Sequence, residues 1–328
     1  VIIITKEEIM HFMITGGAGF IGSHLCERLI HNNNNVVCLD NFNSYYDPEL
    51  KRRNVQSLLN HPAYRLIEGD ILDWQLLEKI FKENSFDVVI HLAARAGVRP
   101  SIKDPRLYEK VNVGGTVNLL ELSSRLNIPK FILASSSSVY GNNTKVPFSE
   151  MDRVDSPISP YAATKRACEL LSYTYFLLYD LSVTCLRFFT VYGPRQRPDM
   201  AIHKFARLIT EGKEIPIFGD GTTRRDYTYI TDIIDGIESA IERCDGYNVY
   251  NLGESRTVQL NYLVELLEKT IGKKANIKYL PEQPGDVSIT YADLSKAKQE
   301  LNYNPQTSIE EGIQEFIEWY MKSMNRIG

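Results

Sequence analysis

Phe12-Met13-Ile14-Thr15-Gly16-Gly17-Ala18-Gly19-Phe20-Ile21-Gly22 is the stretch that sets the fold. Residues 12–15 read as a β-strand and 22–31 as a helix, with glycines between them in the order G-x-x-G-x-x-G. Glycine at such a junction lets backbone come close to a pyrophosphate, and the following helix offers free N–H groups and the positive end of its dipole. A second strand, 36–40, ends in Asp40, 18 positions beyond Gly22. A carboxylate there can accept both hydroxyls of an adenosine ribose and would repel a 2′-phosphate, so NAD is expected rather than NADP.

Outward from this unit the alternation continues. Strands are expected at 64–68, 88–92, 130–134 and 183–188, and helices at 74–83, 105–126 and 161–179. Strands such as Val88-Val89-Ile90 are continuously apolar, as strands covered on both faces should be. The fold class is therefore α/β: a Rossmann-type, doubly wound parallel sheet. Beyond Phe189 the pattern changes. Helices are expected at 201–211, 231–243 (Thr231 as N-cap), 257–270, 294–301 and 308–322, with short strands at 215–218 and 250–253. This half reads as a smaller mixed substrate domain, some of whose segments return to the first sheet. The expected division is 10–190 plus about 223–253 for the cofactor, and 191–222 with 254–328 for the substrate.

Composition fits a globular enzyme: 328 residues, 43% hydrophobic and 24% charged. A formal net charge of −4 leaves no electrostatic footprint for nucleic acid. No apolar run reaches the ~18 residues of a membrane span. Five cysteines (Cys26, Cys38, Cys168, Cys185, Cys244) are odd in number and scattered, without zinc-ligand spacing, which points to buried thiols in a reducing cytoplasm. No metal site is expected. The asparagine-rich run 31–35 is a turn. Residues 1–9, ahead of Met10, read as an upstream extension.

Tyr161-Ala162-Ala163-Thr164-Lys165 puts a phenol and an ammonium at i and i+4 on one helix face, and Ser135-Ser136-Ser137-Ser138 ends an apolar strand about 25 residues earlier. Tyrosine is a poor base at neutral pH, but a nearby ammonium and a cationic nicotinamide ring favour the phenolate. With a serine to hydrogen-bond the reacting oxygen, the three residues suit proton abstraction from a secondary alcohol that loses hydride. Asp70-Ile71 follows the third strand, and Leu92-Ala93-Ala94 keeps the next strand end small, as close cofactor approach requires. His91 reads as a structural histidine.

On these residues, with Asn112 in Val-Asn-Val-Gly-Gly-Thr, Arg225-Asp226-Tyr227 and Pro284-Gly285-Asp286, the chain resembles the extended short-chain dehydrogenase/reductases over essentially all of 10–320, and within them the nucleotide-sugar 4-epimerases. The resemblance implies that Gly16, Gly19, Gly22, Asp40, Asn43, Ser44, Asp70, Ile71, Ala93, Asn112, Tyr161 and Lys165 contact NAD, with Phe20, Ile21, Asn41, Leu92 and Ala94 on the same wall. It implies that Phe218, Arg225 and Asp286 hold the substrate's nucleotide. Gln283 stands where galactose epimerases of the family often carry arginine.

Ser137-Ser138 stand where the family's 4,6-dehydratases carry Asp-Glu and its decarboxylases a Glu before Val-Tyr-Gly. Residues 43–51, and 189–194 running into 197–201, resemble segments of the UDP-glucuronate 4-epimerases. Arg197 beside the hydroxyls of Thr190, Ser137 and Ser138, with Met200 close by, forms a natural carboxylate clamp. A 4-epimerase of a neutral nucleotide sugar, a related dehydratase or decarboxylase, and a non-catalytic NAD-binding regulator remain the competing readings. The 161–179 helix is apolar nearly all round, and with the family resemblance this implies a homodimer through helices 105–126 and 161–179.

Overall fold

The computed structural model describes residues 9–282 and 287–324. The extension expected at 1–9 lies outside them apart from Ile9, as do Gln283, Pro284, Gly285 and Asp286. The described strands are β1 (His11–Thr15), β2 (Asn35–Asp40), β3 (Tyr64–Glu68), β4 (Val88–His91), β5 (Lys130–Ser136), β6 (Ser182–Phe188), β7 (Thr190–Tyr192), β8 (Glu214–Phe218), β9 (Arg224–Tyr229), β10 (Tyr247–Leu252), β11 (Thr257–Gln259) and β12 (Asn276–Leu280). The helices are α1 (Phe20–His31), α2 (Pro48–Val55), α3 (Trp74–Glu83), α4 (Val98–Lys103), α5 (Pro105–Tyr108), α6 (Gly115–Arg125), α7 (Pro160–Tyr179), α8 (Ala201–Glu211), α9 (Ile230–Glu242), α10 (Leu260–Ile271), α11 (Ser295–Leu301) and α12 (Ile309–Met324).

Seven strands form one sheet in the order β3-β2-β1-β4-β5-β6-β10, every neighbouring pair parallel. The chain runs outward from β1 to β3, returns to β4 beside β1, and then extends the sheet the other way. A crevice opens at that reversal, beyond the carboxyl ends of β1 and β4. Side chains alternate between two cores. Phe12, Ile14, Val88 and Ile90 face one; Met13, Val89, Phe131 and Leu133 face the other. Both faces are thus covered, as the continuous apolar strands require.

Among the described residues two further small sheets occur, β11-β9-β7 and β12-β8. β10 returns to the large sheet, whereas β9 pairs with β7 in parallel and with β11 in antiparallel fashion.

Three local expectations are corrected. The helix expected over 257–270 begins only at Leu260, because Thr257, Val258 and Gln259 pair with Asp226, Arg225 and Arg224 as strand β11. Thr231 is not an N-cap: α9 starts at Ile230 with Tyr229 at the cap position and no side-chain cap, leaving Thr231 exposed. The helix expected over 105–126 is broken into α5, a π-helical segment Glu109–Gly114, and α6. Such a bulge re-aims a side chain, here Asn112. Among the described residues no helix is long and apolar enough to cross a membrane, and no cluster of metal-ligating side chains occurs.

Candidate active site

The crevice is a cleft of about 390 Å³. One end is built by the turn between β1 and α1. Gly16 has φ +70°, and a Cβ there would come within 2.8 Å of the Ala93 nitrogen. A Cβ on Gly22 would lie 2.4 Å from the Gly16 carbonyl oxygen. These two glycines allow strand, turn and helix to close up. A Cβ on Gly19 would meet only the Gly16 oxygen, at 3.1 Å, and otherwise project into open space. Gly19 is also the first residue before α1 and carries no side-chain cap, so the helix start faces the cleft through backbone alone. That is a cradle for an anion.

Asp40 ends β2 and is buried. Its Oδ1 accepts from the Phe42 N–H at 2.9 Å and from Lys51 Nζ at 2.9 Å. Its Oδ2 is buried without a partner. An orphaned carboxylate oxygen on the wall of a cleft is an acceptor awaiting donors, and ribose hydroxyls are such donors. Asn41 Nδ2 donates to Asp70 Oδ2 at 2.8 Å, and Asn41 Oδ1 accepts from the side chain of Asn43 at 2.7 Å. This chain of bonds fixes the lip above β2 and β3. The glycine cradle and the orphaned oxygen fit the pyrophosphate and adenosine ribose of a dinucleotide.

The other end is built on α7. Ser159 caps this helix, its Oγ accepting from the Ala162 N–H at 3.2 Å, and Pro160 occupies the first turn. Tyr161 and Lys165 both line the cleft. Lys165 is buried, and its Nζ donates to the Ala134 carbonyl at 2.7 Å, which pins the ammonium to the end of β5. Ser136 Oγ accepts from the Ser138 N–H at 3.2 Å and from Ser138 Oγ at 2.9 Å. With its acceptor side engaged, the Ser136 hydroxyl has its own proton to give toward the cleft. The cleft therefore joins a phenol, an ammonium and a hydroxyl donor.

Most expected residues come together here. Gly16, Gly19, Phe20, Ile21, Gly22, Asp40, Asn41, Asn43, Asp70, Ile71, Leu92, Ala93, Ala94, Ser136, Tyr161, Lys165, Arg197 and Met200 line one cavity. Ser44, Ser137, Ser138, Thr190, Phe218 and Arg225 are not on its wall. Phe218 carries the Arg99 guanidinium 4.7 Å from its ring centroid. Asn112 is also off the wall: its amide accepts from the Arg95 N–H at 2.7 Å and donates to the Arg95 carbonyl at 3.0 Å and to Thr164 Oγ1 at 3.1 Å. Its part is to tie the loop after β4 to α7. Arg197 forms its ion pair with Asp199, at 2.8 Å. Among the described lining residues the only carboxylates are Asp40 and Asp70, both at the far end from Tyr161.

Sequence reasoning named Tyr45, Tyr46 and Lys51 only within the 43–51 segment and gave them no role, yet they line the same cleft. It also missed the polar core behind the site. Glu169, one turn beyond Lys165, is fully buried, takes a two-point contact from Arg187 at 2.8 Å, and accepts from Ser135 Oγ at 2.6 Å. Burial alone would raise its pKa; the bonds from Arg187 and Ser135 more than reverse this, so it stays ionised. Asp226, quoted only as part of a motif, accepts from the backbone N–H groups of Glu254, Ser255 and Ala292, and so anchors β9 to two distant loops. His91 is structural as expected, with its ring nitrogens 2.7 Å from Thr15 Oγ1 and 3.0 Å from Thr116 Oγ1.

A family model described as GDP-mannose 4,6 dehydratase matches residues 13–316. The chain is 48% identical to an uncharacterized protein of Methanocaldococcus jannaschii, over 95% of this chain and 97% of that one. It is 45% identical to the UDP-glucuronate 4-epimerase of Thermodesulfobacterium geofontis, over 97% and 98% of the two chains. The crystal structure of UDP-glucuronic acid 4-epimerase from Bacillus cereus, in complex with UDP-glucuronic acid and NAD, superposes with a TM-score of 0.91 at 39% identity, covering 96% of this chain and all of that one.

Proposed function

The chain belongs to the GDP-mannose 4,6 dehydratase family, within the extended short-chain dehydrogenases/reductases, and on that footing we propose that it is an NAD-dependent enzyme interconverting UDP-glucuronate and UDP-galacturonate. The single observation that carries the choice of sugar is Arg197, a guanidinium on the same cleft wall as Tyr161 and Ser136. A cation at that end suits a sugar bearing a carboxylate. Ser137-Ser138, standing where the family's dehydratases carry Asp-Glu, argue against dehydration, which needs an acid to eliminate water.

Bound NAD supplies the acceptor and later the donor of the C4 hydride. Gly16, Gly19 and Gly22 would cradle its pyrophosphate, and the Asp40 carboxylate would accept from its adenosine ribose. Tyr161 takes the proton of the C4 hydroxyl, and Lys165, pinned by Ala134, stabilises the phenolate. Ser136 donates to the C4 oxygen throughout. The resulting 4-keto sugar turns its other face, and Tyr161 returns the proton when C4 is reduced. With glucuronate this intermediate is a β-keto acid, prone to lose CO2 when the C5–C6 bond aligns with the carbonyl π system. Arg197, on the cleft wall, holds that bond out of alignment. Residues 10–190 with about 223–253 serve the cofactor and the rest the substrate. Five buried, unpaired thiols suit a reducing cytoplasm.

The test is incubation with UDP-glucuronate, UDP-glucose and UDP-N-acetylglucosamine separately, without added NAD, following C4 inversion by NMR. UDP-glucuronate should convert fastest and without CO2 release. Tyr161→Phe should lose roughly 10²–10⁴ in rate while keeping its fold. Conversion of only the neutral sugars would transfer the reading to a neutral 4-epimerase.

A further inference from the structure

We propose that Asp199 sets how strongly the cleft prefers an acidic sugar, by holding Arg197 in a pairing that a substrate carboxylate has to share or replace. The proposal rests on the reading above, in which Arg197 meets the carboxylate of the sugar.

Arg197 Nε donates to Asp199 Oδ1 at 3.0 Å, and one terminal nitrogen donates to Oδ2 at 2.8 Å. This is the side-on, two-point contact in which arginine binds carboxylates best. The loop that carries both residues is fixed. Gln196 is buried, its Nε2 donates to the Val191 carbonyl at 3.0 Å, and its Oε1 accepts from the His203 N–H at 3.2 Å. From across the cleft, the Tyr45 ring stands 5.4 Å from the guanidinium. Burial would raise the Asp199 pKa, but the bonds and charge of Arg197 more than reverse this, so the carboxylate is ionised. The pair therefore presents a compensated charge beside Tyr161.

A neutral sugar meets a guanidinium that already has its partner and disturbs nothing. A sugar carboxylate meets the same guanidinium with a second negative charge on it. Asp199 occupies the side-on edge, so the sugar carboxylate is left the end-on edge of a guanidinium whose charge is already offset, or has to displace Asp199. Asp199 thus lowers the affinity for the acid below what an unpaired Arg197 would give. That suits a site whose substrate and product carry the same carboxylate, because an acid held less tightly also leaves faster.

The test measures affinity by calorimetry on the NAD-loaded full chain, in a Tyr161→Phe background so that nothing turns over, with UDP-glucuronate and UDP-glucose as probes. Asp199→Asn should tighten UDP-glucuronate about three- to fivefold and move UDP-glucose by less than about twofold. Asp199→Glu, which keeps the charge, should keep the parent ratio of the two affinities; a ratio that rises as in Asp199→Asn overturns the proposal. Weaker UDP-glucuronate binding in Asp199→Asn, in the same direction as Arg197→Ala, would reduce Asp199 to a support for Arg197 and overturn the proposal. Equal shifts for both sugars would do the same. The underlying reading fails separately, if Arg197→Ala leaves UDP-glucuronate affinity unchanged.

Discussion

Lys51 is a buried ammonium in a cleft built for a dinucleotide, and it forms an ion pair with the buried Asp40 carboxylate. The pair is 2.9 Å apart, and the Tyr46 ring lies 5.5 Å from the ammonium. The bond to Oδ1 leaves the other, buried carboxylate oxygen without a partner. Lys51→Met would leave the buried Asp40 carboxylate without its ion-pair partner, which costs roughly 3–5 kcal/mol. The variant should purify with less bound NAD and melt at a lower temperature; undiminished NAD content, measured by absorbance after acid release, would count against this role. Gly16, Gly22, Asp40, Tyr161 and Lys165 were legible in the sequence because their chemistry depends on short spacing within one turn or one helix face. Lys51 was not, since its partner lies across a loop. A signal did exist: Lys51 and Val55, four apart, are the only buried residues of α2, so the ammonium shares its inward face.

The elements that carry the catalytic groups are held from behind by buried polar contacts. Arg187 on β6 joins Glu169 on α7, and its other terminal nitrogen donates to Tyr140 Oη at 3.0 Å, in the turn that follows Ser136. Arg187→Met would leave the Glu169 carboxylate buried with its main partner gone, and should destabilise the protein by about 3–5 kcal/mol in urea unfolding. β4 is held to α6 differently, through His91. Burial, helped by the nearby Lys165 charge, lowers its pKa to about 3. The unfolded chain takes up a proton below about 6.5 and the folded chain does not, so stability present above that pH is lost as pH falls toward 3. A His91→Gln variant should be less stable at pH 8 but lose about 2 kcal/mol less between pH 7.5 and 5, read from denaturant midpoints. Element identity was legible wherever periodicity was local, as in α8 and α7. It failed at Thr257–Gln259, where pairing with a strand more than 30 residues away decides, and at Glu109–Gly114, where the helix runs as a π-helical segment.

Among the described residues, one face of α7 presents large apolar side chains that the rest of the chain covers only in part. Leu170, Tyr173, Leu177, Leu178 and Tyr179 of α7 are each about half exposed or more. They share the helix with Tyr161 and Lys165, whose side chains face inward to the cleft. A helix buried by the sheet on one side and apolar on the other has two packing surfaces. This surface is the one on which the sequence expectation of a homodimer through helices 105–126 and 161–179 rests. Leu177→Asp combined with Leu178→Lys places two charges on that surface without touching the cleft. Light scattering coupled to size-exclusion chromatography should show a dimer for the parent chain and a monomer for the double variant. Because α7 also carries the catalytic pair, the monomer should lose activity along with association, through a looser helix. A parent chain that runs as a monomer at micromolar concentration would mean that this face is covered by something else.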